Sequence, residues 1–509
     1  MNLSRKSIAG ISANNLQTPT ENLFQLPEKV LQFGTGVLLR GLPDYFIDKA
    51  NKQGVFNGRV VVVKSTSQGG TDAFAQQDNL FTQCIRGLEG ETKIEENIIN
   101  ASISRVLSAR EQWNEILECA ENSDMEIIIS NTTEVGISLV KDDKIDSQPP
   151  VSFPGKLLAF LYKRFKAFKG DSAKGMIIVP TELIVDNGKK LKAIVLELAQ
   201  LNGAEAAFIA WLESANHFCD SLVDRIVPGK LPAADQQKFQ QEFQYNDELM
   251  IMSESYSLWA IEAKDEKVKE KLSFYKTDPG VVIARDINKF RELKLRLLNG
   301  THTLTCALAH LAGCTTVKEA MDDEAISAYV TALMVNEIAP AIVSSNLSLD
   351  EAKTFAEKVR DRFRNPFIEH KWSSISVQYS SKMKMRNVPI LLKHYESHET
   401  VPQLIAVGFA AYIVFMNCSK INEKFIGSAR GVEYAIQDDH AGWFAERSNL
   451  SGDDLVQAVL SDKDFWEHDL AGLPGFAEAV ADNYKQLRRG EVKQAIKDCL
   501  TENVESTRV

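Results

Sequence analysis

Four short apolar runs constrain this chain more than anything else in it. They are KVLQF at 29–33, VVVV at 60–63, EIIIS at 126–130 and MIIVP at 176–180. They are rich in Val and Ile, and none alternates apolar with polar residues. A strand that is apolar on both faces must be covered on both faces, which predicts a parallel sheet between layers of helix. Helical patterns such as LLRGLPDYFIDKANKQ and REQWNEILECAENS separate the runs. Past about residue 285 no such run recurs. Helical periodicity takes over in KFRELKLRLLNGTHTLTCALAHLAG and EAISAYVTALMVNEIAPAIV. The expected fold class is therefore α/β. A Rossmann-like N-terminal domain with a parallel-sheet core occupies 25–281, and a mostly α-helical C-terminal domain occupies 282–509. The polar residues 1–24 read as a flexible leader.

The charge balance excludes several partners. Lys and Arg total 58 against 69 Asp and Glu, a formal net charge of −11. Such a chain has no overall attraction to nucleic acid or to an anionic membrane, so an anionic substrate needs cations gathered in a local cleft. No stretch approaches the length of a membrane span, and the N-terminus has no apolar signal core, so a cytoplasmic location is expected. The 7 cysteines are scattered without a CxxC pair, against a disulfide framework or a zinc site, and no metal is expected. A chain of 509 residues can bury two cores, so a monomer is feasible.

Several segments could carry chemistry. Gly34-Thr35-Gly36 follows a predicted strand and opens a helix, where a dinucleotide pyrophosphate needs close backbone approach. Leu39 stands where a third glycine is expected, so a plain tight turn fits equally well. The second strand ends in Lys64, where an acid would grip an adenosine ribose and a lysine would suit a 2′-phosphate, leaving NAD against NADP open. Ser130-Asn131-Thr132-Thr133-Glu134 lies at a strand end, either in the ligand crevice or as a helix cap. On an α-helix Asn299 lies about 140° from Lys294, and His302 about 80° from it. A lysine, an amide and an imidazole on one side could reduce a ketone. The lysine would move the proton, the amide would donate to the alkoxide and the imidazole would hold a hydroxyl. The same three residues could instead be two solvated side chains and a core histidine. Asn187-Gly188 reads as a turn, with a second alkoxide donor as the alternative. The basic clusters Arg362-Phe363-Arg364 and Lys382-Met383-Lys384-Met385-Arg386 could take a carboxylate or form solvated helix faces.

Together these segments resemble the mannitol dehydrogenase family of polyol-specific long-chain dehydrogenases/reductases. The likeness is carried by QFGTGVLLR, VVVVKST, SNTTEVGIS, ELIVDNGKKL, LVDRIVPG, LNGTHT, EAMDDEAI, RFRNPFIEH and FWEHDLAGLPG, nearly the whole chain from about residue 25. It is closer to the members acting on sugar acids. The resemblance implies a metal-independent, NAD-linked oxidoreductase interconverting D-altronate and D-tagaturonate in hexuronate (galacturonate) breakdown. It places the general acid/base on Lys294, the oxyanion site on Asn299 and Asn187, and substrate orientation on His302. It puts Gly34, Thr35, Gly36 and Arg40 in the phosphate loop, with Lys64, Thr132, Thr133 and Glu134 along the cofactor. It sets Asp224 and Arg225 near the cleft, with the substrate carboxylate expected on Lys382, Lys384 or Arg386. Fructuronate reduction, mannitol 2-dehydrogenation and a non-catalytic NAD(H) sensor are the alternatives.

Overall fold

The computed structural model describes residues 1–11, 15–65, 71–133 and 135–506. The chain forms two compact units: Met1–Gly87 with Lys93–Ile287, and Leu88–Thr92 with Asn288–Val509. The division falls a few residues beyond the expected boundary, at the start of the first helix of the second unit.

The four apolar runs all become strands of one parallel sheet in the first unit. In chain order its strands are β1 (Glu28–Phe33), β2 (Arg59–Lys64), β3 (Ile103–Ser108), β4 (Ile127–Ser130), β5 (Ile177–Pro180) and β6 (His217–Phe218). Their spatial order is β3-β2-β1-β4-β5-β6, with every neighbouring pair parallel. This is the order of a dinucleotide-binding sheet, which reverses direction between β1 and β4. Val30, Val60, Val62, Ile127 and Ile129 face one buried cluster, and Leu31, Val61, Val63 and Ile128 face another on the opposite side. Burial on both faces is why the runs do not alternate. Two smaller sheets complete the unit.

The described part of residues 1–24 is not the loose leader the composition suggested. Leu3, Leu16 and Phe24 are buried with Leu80, Ile99, Phe243 and Tyr245. Leu16–Gln17 also pairs in parallel with the strand Thr92–Asn100. The few apolar residues of a polar segment suffice to anchor it, and average composition hides them.

The second unit is helical, as expected, with one antiparallel sheet of Cys418–Ile421, Lys424–Ala429 and Val432–Ile436. At its centre runs the helix Gln403–Met416, buried from Leu404 onward. A helix apolar all round can only be a core helix. No helix among the described residues is long and apolar enough to cross a membrane. The buried N-terminus of this helix leaves backbone N–H groups that need acceptors. The Glu337 carboxylate supplies them, accepting from Leu404 N at 2.9 Å and Ile405 N at 2.8 Å, with Asn503 Nδ2 at 3.0 Å. Burial nonetheless pushes this carboxyl from its ordinary 4.5 up to about 7. A folded-state value above the unfolded one favours the native state when protonated. The contribution is complete below about 4.5 and is lost as pH rises through about 7. Against Glu337→Gln, the wild type should lose up to about 3 kcal/mol between pH 4.5 and 8. Thermal midpoints of both proteins across that range would read this, and parallel curves would refute it.

Candidate active site

In the first unit the candidate residues gather where β1, β4 and β5 end. Gly34 takes φ +130°, and a Cβ there would lie 2.8 Å from Leu39 Cδ1 and 3.0 Å from the Asn131 carbonyl oxygen. Only glycine fits that turn. Gly36 is different: a Cβ on it would meet nothing within 4 Å, so this backbone faces open space, as a phosphate cradle requires. Thr35 is half-buried between them, and Lys64, 9% exposed, ends β2 alongside.

Next to this turn lies a cleft of about 440 Å³ lined by Leu38, Asn131, Thr133, Val135, Glu182 and Leu183. It sits at the reversal point of the strand order, where open α/β sheets bind ligands. Thr132 N and Oγ1 both donate to Glu182 Oε1 at 2.9 Å, and Ser130 Oγ donates to Oε2 at 3.1 Å. Thr133 follows in a left-handed conformation, φ +81°. Glu134, expected beside the cofactor, lies outside the described residues. Glu182 and Leu183 were not singled out as site residues. Their signal was their place directly after an apolar run, matching that of Ser130–Thr133.

Four expected site residues have other work. Asn187 is fully buried, and its Nδ2 donates to the carbonyls of Pro180, Glu182 and Ser221 at 3.0–3.1 Å. Its Oδ1 accepts from Gly188 N and Ser221 N, both at 2.9 Å. An amide has two N–H bonds, so none is left for an alkoxide. Arg40 is buried against the Phe74 and Phe81 rings and donates to the Leu249 carbonyl, away from the glycine turn. Arg225 donates to the carbonyls of Glu254 and Gly41 at 2.8–3.0 Å and lies 4.5 Å from the centre of the Tyr45 ring. Burial lowers the pKa of both guanidinium groups, whose fixed forks serve here to tie backbone segments together. Asp224, 6% exposed, ends the strand Ser221–Asp224. The fourth is Lys384, in the second unit.

In that unit Lys294 and Asn299 lie in a π-helical stretch, Leu293–Gly300. Its i→i+5 hydrogen bonding sets residues five apart nearly above one another. Lys294 and Asn299 are five apart, so they share a face more closely than α-helical geometry allows. Both are half-buried. His302 follows on the α-helix Thr301–Ala312. Its ring stacks on Phe363, centroids 4.0 Å apart, and meets His370 edge-on at 5.1 Å. Nε2 is buried with no hydrogen-bond partner. Burial, then His370, Arg362, Arg386 and Lys382, push this imidazole well below its ordinary range and hold it neutral.

Those neighbours form a cationic cluster. Arg386 Nη1 donates to Thr303 Oγ1 at 3.0 Å and its Nε has no partner, while Lys382 Nζ donates to the Ile375 carbonyl at 2.9 Å. Burial lowers Arg386 to about 10, and burial then Arg386 lower Lys382. Both lie on the helix Tyr379–Arg386, one turn apart on one face. Lys384, two residues from each, points elsewhere and pairs with Glu467 at 2.9 Å. His370 was missed in the sequence because it is a lone histidine after RFRNPF. No cluster of three or more His, Cys, Asp or Glu among the described residues could hold a metal ion.

If Asn187 serves the backbone, Asn187→Ala should cost about 3 kcal/mol by leaving buried carbonyls and N–H groups unpaired. A lowered thermal midpoint would show it. An unchanged midpoint with lost turnover would return Asn187 to the alkoxide.

Known proteins share this architecture. The altronate oxidoreductases of Escherichia coli K12 and Shigella flexneri are each 37% identical over 483 residues, covering 93% of this chain and 97% of theirs. The mannitol 2-dehydrogenase of Pseudomonas fluorescens, solved with NAD and D-mannitol, superposes with a TM-score of 0.69 at 22% identity over 98% of this chain and 100% of that one. A substrate-free D-sorbitol dehydrogenase gives 0.77 at 18% over 97% and 100%. The mannitol dehydrogenase Rossmann domain matches residues 28–273 and its C-terminal domain residues 286–488. With both domain models matched and relatives aligned over nearly its whole length, this chain belongs to the mannitol dehydrogenase family.

Proposed function

We propose that the protein is an NAD-dependent oxidoreductase interconverting D-tagaturonate and D-altronate, within hexuronate (galacturonate) breakdown. The observation that carries the substrate class is the desolvated cationic cluster around His302. Half-burying Arg386 and Lys382 side by side is unfavourable unless an anion compensates them, and a substrate carboxylate is such an anion. The sequence relatives acting on altronate support the choice of sugar acid. A neutral polyol has no use for the cluster.

The first unit fits the cofactor. The open backbone at Gly36 and the tight turn at Gly34 would take the pyrophosphate, Lys64 would face the adenosine ribose, and Thr132 and Thr133 would line the other half. NAD, once bound, carries the two electrons of the reaction. In the second unit Lys294 protonates the ketone oxygen during reduction and takes the proton back during oxidation. Asn299 donates its amide to the same oxygen as charge develops. Neutral His302 presents Nε2 to a neighbouring hydroxyl and fixes the sugar's orientation. Arg386 and Lys382, with Arg362 and His370 adjoining, receive the carboxylate.

Loss of NADH absorbance with tagaturonate, fructuronate and fructose offered separately tests the reading. Tagaturonate should be consumed fastest. Lys294→Ala should lower kcat by about 10²–10⁴-fold. A preference for fructuronate or fructose would move the substrate to a sibling activity, and no turnover with NADH or NADPH would leave a nucleotide-binding protein. Arg386→Ala should raise KM for the keto acid about tenfold or more, whereas Lys384→Ala should change it by less than about twofold. Equal effects would refute the assignment of the carboxylate to one helix face.

A further inference from the structure

Glu182 is a buried carboxylate without a cation. It is 2% exposed, and its hydrogen-bond donors are Thr132 N, Thr132 Oγ1 and Ser130 Oγ, all uncharged. No Lys, Arg or His among the described residues pairs with it. It nevertheless lines the cleft at the reversal point of the sheet, between the exposed apolar side chains of Val135 and Leu183, 80% and 58% exposed. Burial raises its pKa, while hydrogen bonds from its own backbone N–H, from Thr132 and from Ser130 oppose that and favour the ionised form. An unbalanced carboxylate at the wall of a cleft calls for positive charge in the ligand.

The strand order says which part of a dinucleotide would lie there. The pyrophosphate belongs at the turn after β1 and the adenosine toward β2, so the remaining half extends the other way, over β4 and β5. That half is the nicotinamide, whose ring is cationic when oxidised and neutral when reduced. Val135 and Leu183 offer it apolar walls. The geometry points to Glu182 as the counter-charge of the oxidised nicotinamide, a positioning residue that makes this protein bind NAD⁺ more tightly relative to NADH than the cleft's shape alone would. The inference rests on the cofactor reading above and adds to it a redox-state preference seated on one side chain. Glu182 moves no proton or electron in this role.

Dissociation constants for NAD⁺ and NADH, measured separately on substrate-free protein by calorimetry and by quenching of tryptophan fluorescence, test it without turnover. Glu182→Gln keeps the side chain's shape and removes its charge. It should weaken NAD⁺ about tenfold and move NADH by less than about threefold. Thr132→Val removes one donor and keeps the charge, so the ratio of the two constants should stay that of the wild type. If Glu182→Gln weakens both cofactors equally, or neither, the carboxylate only braces the loop and the inference falls. If Thr132→Val shifts the ratio as Glu182→Gln does, the loop's shape sets the preference and the inference falls as well. If the wild type binds neither nucleotide, the cofactor reading itself fails, and the inference with it.

Discussion

Parallel strands end together, and the first unit is organised by that constraint. Because β1 to β6 run the same way, the loops that leave their C-terminal ends share one edge of the sheet. Gly34, Lys64, Asn131 and Glu182 are far apart in sequence but occupy neighbouring strand ends there. The strands are saturated by one another and sealed on both faces, so polar groups that cannot be satisfied inside the sheet collect at that edge. The hydrogen bonds from Thr132 and Ser130 to Glu182 join the β4 and β5 ends. Those from Asn187 fasten the β5 end to the strand Ser221–Asp224. The edge is thus cross-linked by hydrogen bonds before any ligand arrives.

The second unit solves a different problem, which is keeping half-buried cations close together. Lys382 and Arg386 are spaced by helical geometry, and each already spends one donor on a neighbouring oxygen atom. His302 stays neutral among them and is wedged flat against Phe363. The partly spent donors leave the cluster short of acceptors, in a protein whose net charge is otherwise negative. Any pull on an anion there comes from these side chains and not from the overall field.

Much of this was legible in the sequence, for identifiable reasons. The four unalternating runs gave strands β1, β2, β4 and β5, since a both-faces-buried strand leaves that pattern. The strand β3 was not legible because ISRVLS mixes polar residues into a partly exposed edge, and β6 is only two residues long. The fates of Arg40 and Arg225 were hidden because their partners are backbone carbonyls of Leu249 and Glu254, and a carbonyl has no residue signature. The backbone partners of Asn187 were hidden for the same reason. Lys384 was grouped with Lys382 and Arg386 by proximity in the chain, while helical spacing separates them in space. The π-helical stretch escaped a reading built on 100° per residue.

That stretch has a consequence of its own. A π-turn is an α-helix carrying one residue more than its hydrogen bonding prefers. Taking one residue out between Lys294 and Asn299 would let Leu293–Gly300 relax to ordinary α-helical bonding, and the backbone would be better satisfied than before. The same deletion would leave Lys294 and Asn299 four apart, which on an α-helix is still one face. The π-turn is thus how this chain carries one residue more between the two side chains without parting them.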